Sequence, residues 1–112
     1  MRREQVINYI KENYNVCAEY LWEDTPDAAI FRHENNRKWF ALIMGVKGQE
    51  FLNVKTKPDY SELLRKSYEY IIPAYHMNKE HWNTIIISKN VDESLVYELI
   101  DQSYEITMKK KK

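Results

Sequence analysis

A single cysteine, Cys17, in 112 residues excludes an internal disulfide, so no cross-link holds this small fold together. Glycine and proline are scarce, at 2 and 3 copies, which rules out a collagen-like chain and leaves too little glycine for a phosphate-cradling loop. No apolar run approaches the roughly 20 residues of a membrane span. No apolar segment follows the basic Met1-Arg2-Arg3 start, so neither a membrane anchor nor a leader is expected. Net charge is missing as well, since 17 Lys and Arg balance 17 Asp and Glu. What remains is a globular composition, 44% apolar and 30% charged, with 9 Tyr, 3 Trp and 3 Phe. The expected protein is one soluble, cytoplasmic domain over residues 1–108, most simply a monomer, followed by a disordered lysine tail at 109–112. A domain of this size buries roughly two thirds of its unfolded surface, enough for one modest core.

The neutral total hides an uneven distribution. Residues 1–28 hold three basic against six acidic residues, residues 29–90 ten against six, and residues 91–112 four against five. All three histidines, His33, His76 and His81, fall in the positive middle. Such a centre could mark an anion-binding face or be ordinary charge scatter. The terminal lysines would add salt-sensitive, non-specific affinity for nucleic acid, or serve only solubility.

Periodicity predicts a helix over 2–14, with Val6, Ile7, Ile10 and Tyr14 on one stripe and Asn13 and Asn15 as stop signals. Short alternation predicts strands over 17–22, 29–33, 38–44 and 51–56. The turns between them fall at 23–27, at 34–37 and at Gly45-Val46-Lys47-Gly48. Pro58 opens a second helix that keeps its spacing to Ile71 and stops at Pro73. Residues 73–82 follow neither period and read as a structured loop. A β-branched strand over 83–88 follows, then a helix from about Asn90, with Glu93 three residues on as in a capping box, to Thr107. The order α-β-β-β-β-α-β-α with tight hairpins predicts an α+β, two-layer sandwich in which helices pack on an antiparallel sheet.

Donors, cations and flat rings are densest between Pro73 and Thr84, where Tyr75, His76, Asn78, Lys79, His81, Trp82 and Asn83 crowd together. These groups suit phosphates, carboxylates or stacked bases. Equally, Tyr75 and Trp82 could anchor the core while the amides and imidazoles tie the loop to backbone. Arg37-Lys38-Trp39, Lys47 at a hairpin tip, and Asn53 with Lys55 on a strand form a second set that could line a positive edge. His76 and His81 match no zinc spacing, and no metal or other cofactor is called for. Cys17 has no base near it in sequence and reads as a buried structural thiol, so no catalytic constellation is found and no enzyme is expected.

Several stretches resemble one family: Lys38-Trp39-Phe40-Ala41-Leu42, Leu52-Asn53-Val54-Lys55, the block Pro73-Ala74-Tyr75-His76-Met77-Asn78-Lys79 with His81-Trp82-Asn83-Thr84, and Ser103-Tyr104. Together they look like the MmcQ/YjbR family over nearly the whole chain. The resemblance implies a CyaY-like fold, and a DNA-binding module with a double-wing arrangement of helices and hairpins. It implies no catalytic activity. On that expectation Arg37, Lys38, Lys47, Lys55, Asn78 and Lys79 contact phosphates, while His76, His81 and Trp82 shape the site. Two alternatives stay open. One is a small-molecule or anion pocket made by the 73–84 loop against Asn53 and Lys55. The other is a protein-interaction adaptor working through a sheet edge or helix face.

Overall fold

The computed structural model describes residues 1–74 and 77–108. Tyr75, His76 and residues 109–112, which the sequence assigns to the loop site and the lysine tail, lie outside the described residues. Helix α1 (Arg3–Tyr14) ends at Asn15, whose φ of 56° is left-handed and whose N–H donates to the Lys11 carbonyl. Asparagine tolerates that conformation better than most residues, which is why it stops helices. Strands β1 (Ala29–Arg32), β2 (Trp39–Val46) and β3 (Gln49–Lys55) follow as an antiparallel meander. Helix α2 (Pro58–Ser67), strands β4 (Ile71–Pro73) and β5 (Trp82–Ile86), and helix α3 (Glu93–Thr107) complete the chain. The sheet order is β1-β2-β3-β5-β4, antiparallel throughout.

The expected α+β two-layer class holds, but the order of its elements differs. Residues 17–22 make no strand. They contribute one antiparallel bridge, Glu19 to Ile30, against the free edge of β1, while Tyr20, Leu21 and Trp22 stay exposed. Helix α2 stops at Ser67 rather than Ile71, and residues 71–73 form an edge strand on β5. Pro73 forces extended backbone before it and donates no hydrogen bond, which an edge strand tolerates and a helix does not. Three strands therefore precede α2 and two follow it. The turn between β2 and β3 is tighter than expected: only Lys47 (φ 51°) and Gly48 (φ 81°) take left-handed values, and Gly45 and Val46 belong to β2. Helix α3 is capped by Asp92, which accepts from the backbone N–H groups of Ser94 and Leu95, not by Asn90.

Alternation gives the sheet two unlike faces. The row Ala29–Ile43–Leu52–Ile85–Ile71 runs across all five strands on one face. It joins Val6 and Ile10 of α1, Leu64 of α2, and Leu95, Val96, Leu99 and Ile100 of α3 in one core. The helix layer is tied internally where the Tyr9 and Tyr14 hydroxyls donate to Asp101. Burial and that carboxylate push the Tyr9 hydroxyl up to about 12. The adjacent row, Ile30–Leu42–Asn53–Thr84–Ile72, points the other way, where Trp39, Met44 and Met77, and no helix among the described residues, pack on a smaller cluster of Ala28, Ile30 and Leu42. This face is open only in lacking a helix among the described residues, since Ile30, Leu42, Asn53 and Thr84 are all buried.

Candidate functional site

Three local features build the site at one end of the open face. The first is a β-bulge. Phe31 faces Ala41, but Arg32 faces Trp39, so Phe40 is the extra residue. The bulge lets Phe40 and Ala41 both enter the helix-side core and turns Trp39 onto the open face. The second is a wedge from α3. The Ser103 hydroxyl donates to the Phe40 carbonyl at 2.6 Å and accepts from the Lys55 N–H at 2.9 Å, where the β2–β3 ladder stops. The third is the turn before β5. Asn78 accepts the Trp82 N–H at 2.8 Å on its carbonyl and the Glu80 N–H at 2.9 Å on its side chain. Arg65 of α2 holds this turn by donating to the carbonyls of Lys79 and Trp82 and, at 2.6 Å, to the Asn83 side chain. Asn83 in turn donates to the hydroxyls of Thr56 and Ser61 at 2.7 and 2.8 Å, which leaves this buried amide fully paired.

The result is a depression of about 600 Å³ lined by Trp22, Trp39, Leu42, Met44, Met77, Asn78 and Trp82, with Thr25 at its rim. All three tryptophans of the chain meet there. Trp22 and Trp39 lie with ring centroids 5.6 Å apart at 59°. Lys55 is the cross-strand partner of Trp82 and shares its face; Lys38 and Lys79 directly precede Trp39 and follow Asn78. Both of these lysines are exposed. The Trp22 side carries the opposite sign, through exposed Glu23 and Asp24.

The structure thus brings Lys38, Lys55, Asn78, Lys79, His81 and Trp82 to one end of the sheet. His81 is half-buried, with Nε2 3.8 Å from Glu80. Two other residues go elsewhere. Lys47 sits just past the far end of β2, eight residues from Trp39, or roughly 26 Å along an extended strand. Arg37, with a left-handed φ of 64°, lines a separate depression beyond β1 together with Cys17, Glu19 and Arg32. His76 lies outside the described residues. Asn53 does not present its amide to solvent: it is 5% exposed, donates to the Leu42 carbonyl at 3.2 Å and accepts from Thr84. The anion grip that the sequence suggested for Asn53 is therefore occupied by internal bonds. Cys17, expected buried, is exposed. Among the described residues no group of three His, Cys, Asp or Glu is placed to hold a metal, and no helix is long and apolar enough to cross a membrane.

Trp22, Leu42, Met44 and Met77 were not legible as site residues in the sequence. A lone indole in a loop carries no sign of the strand it will lean on, and the bulge at Phe40 breaks the alternation that would assign Trp39 to the open face. Around the second depression, Arg32 pairs with Glu19 through two bonds at 2.9 and 2.7 Å, and this bonding holds the Glu19 carboxyl below its ordinary value. His33 lies buried beside it, its Nε2 2.8 Å from the Thr107 hydroxyl. Burial lowers its affinity for a proton.

Comparison with known proteins agrees with this architecture. The family model described as YjbR matches residues 12–106. The chain is 38% identical to the uncharacterized protein YyaQ of Bacillus subtilis over 117 aligned positions, covering 96% of this chain and 98% of that one. It is 35% identical to the uncharacterized protein YjbR of Escherichia coli K12 over 66 positions, 59% of this chain and 56% of that one. A crystal structure of a Pseudomonas syringae protein superposes with a TM-score of 0.89 at 36% identity, over 96% of this chain and all of that one. Deinococcus radiodurans protein DR2400 superposes at 0.83 with 25% identity, over 96% and 79%.

Proposed function

We propose, for a chain that belongs to the YjbR family, that it is a DNA-binding module whose contact surface is the open sheet face around Trp39 and Trp82. The observation that carries this reading is the gathering of cations at the end of the sheet where the depression lies: Lys55 shares the face of Trp82 across the strand pair, and exposed Lys38 and Lys79 are the chain neighbours of the lining residues Trp39 and Asn78. Lysine heads on flexible stems reach phosphate oxygens, while the rings and the Asn78 amide position what lies between them. The phosphate path follows the Lys38–Lys55–Lys79 end and avoids the Glu23–Asp24 side, where like charge repels it. The reading assigns binding and no catalysis. An anion pocket is less well supported, because the depression is walled by indoles, Leu42 and thioethers rather than by converging donors.

The test is a fluorescence-anisotropy titration of labelled DNA with the full chain, with a variant carrying Lys38→Gln, Lys55→Gln and Lys79→Gln, and with residues 109–112 changed to serine. Three phosphate contacts predict a log–log salt slope of roughly −2 to −3. The triple variant should lose about tenfold or more in affinity and most of that slope, while the serine tail leaves most of the affinity in place. Affinity that disappears with the tail, or that survives the triple variant, overturns the reading.

A further inference from the structure

We infer that the tryptophan-lined depression takes an unpaired base, so that the preferred partner is a single strand of DNA rather than a duplex. This rests on the DNA-binding reading above and narrows it. A duplex hides the faces of its bases within the stack and shows a protein only phosphates, sugars and edges. Cations suffice for that surface, and three indoles around an apolar recess have nothing there to contact. An unpaired strand exposes the π-face of each base, and base–aromatic stacking tolerates any sequence.

The geometry suits such a base. Leu42, itself buried, lines the recess with Trp39 and Trp82 from the same end of the sheet, and Trp22 is tilted 59° against Trp39. A base lying on one indole would meet the edge of another, as aromatic groups prefer. Met44 and Met77 fill the remaining wall with thioethers that adapt to rings of different size. Asn78 turns its side-chain oxygen to the Glu80 N–H at 2.9 Å, and its amide nitrogen has no partner among the described residues, which leaves a donor at the rim for a base-edge acceptor. The charge is complementary on one side only. Lys55 shares the face of Trp82, and exposed Lys38 and Lys79 adjoin Trp39 and Asn78 in the chain, while exposed Glu23 and Asp24 follow Trp22. A strand can thread its phosphates along the lysines with its base turned inward. A duplex that laid two phosphate ridges across the recess would bring one of them onto the carboxylates.

The probes are a labelled 12-nucleotide mixed-sequence strand, its duplex, the same strand with abasic sites throughout, and a free nucleoside monophosphate. Each is titrated against the full chain and against Trp39→Leu and Trp22→Leu variants whose thermal melts show that they remain folded. Tryptophan fluorescence is read alongside anisotropy. The strand should bind about tenfold or more tighter than the duplex and quench the indoles. Removing the bases or either tryptophan should weaken it by roughly fivefold to a hundredfold. Equal binding of strand, duplex and abasic strand, with affinity lost only in the lysine variant, overturns the base recess and leaves the DNA-binding reading standing. Monophosphate binding as tight as the strand overturns the strand in favour of a small ligand. No binding of any DNA overturns both readings.

Discussion

The two faces of the sheet are made by the same strands and separated by one residue of register, yet they are chemically unlike. The helix-covered row is Ala29, Ile43, Leu52, Ile85 and Ile71, without a polar atom in its side chains. The neighbouring open row places Asn53 and Thr84 between Leu42 and Ile72, and ends toward Trp39, Lys55 and Trp82. The first face gains stability from apolar burial alone, whereas the second buries polar Asn53 and Thr84 beside Ile30 and Leu42. The second keeps polar groups paired to one another and holds large rings where a partner can reach them. Stability and recognition are therefore distributed by alternation along the same strands. Substitutions one residue apart should separate them.

The sharpest way to break that division is a pair of truncations. Leu52→Ala on the covered face should cost about 2–5 kcal/mol, because the sealed layer cannot collapse around the gap. Trp22→Ala, at a position 38% exposed, should cost far less stability while losing the binding proposed above. Urea unfolding monitored by circular dichroism measures both; equal losses would erase the distinction between faces. Next in size is Arg65→Met. It removes the donor that ties the 78–82 turn to α2 and leaves the Asn83 side-chain oxygen without its 2.6 Å partner, at a cost of roughly 1–3 kcal/mol. Because the cost falls on the turn that presents Asn78 and Trp82, amide exchange should quicken there before it does in β2. Uniform acceleration would show that Arg65 supports the whole fold and not the site.

A smaller effect is expected with pH, at His33. Its ring packs between Phe40 and Tyr104, with centroids 5.1 and 4.5 Å away, and its Nε2 lies 2.8 Å from the Thr107 hydroxyl, within hydrogen-bonding distance. Burial lowers its pKa in the folded state, partly opposed by a hydrogen bond to the Tyr104 backbone. The unfolded chain therefore takes up the proton first. Stability is full above the ordinary histidine value near 6.5, and it falls as pH drops below that value toward the folded pKa. Chemical denaturation at pH 7.5 and 5.5 should show this loss in the parent and less of it in His33→Gln. A parent whose stability is flat over that interval would refute the assignment.

What the sequence revealed and what it concealed divide along the same line. The helix stripes and the β-branched run Thr84-Ile85-Ile86-Ile87 were legible because burial imposes periodicity, and Asn15 was legible because few residues accept its φ. The edge strand at Ile71–Pro73 was not, since Tyr68 and Ile71 continue a helical spacing that pairing with β5 overrides. The site was half-legible. The cluster around Asn78 and Trp82 declares itself by density of function-bearing side chains, and Lys38 and Lys55 by their sequence neighbours. That Arg37 turns away from them depends on a left-handed φ in a loop, and that Trp39 joins them depends on the bulge at Phe40. Neither leaves a periodic trace.

The smallest effect should come from Lys47, and its smallness is informative. In sequence it looked equivalent to Lys38 and Lys55, a cation on a hairpin of the same sheet. In space it stands at the opposite end of β2, where its φ of 51° is a conformation that a lysine side chain adopts at a cost. Lys47→Asn removes a positive charge and supplies a residue that accepts left-handed backbone, so it should stabilise the hairpin by roughly 0.5 kcal/mol. Were DNA attracted by the molecule's charge as a whole, this substitution would weaken binding as much as Lys55→Gln. If contact is confined to the tryptophan end, affinity and salt slope should be unchanged while the melting temperature rises slightly. Measuring all three on one variant tells a local interface from a diffuse one, because only the local interface lets stability and affinity move independently.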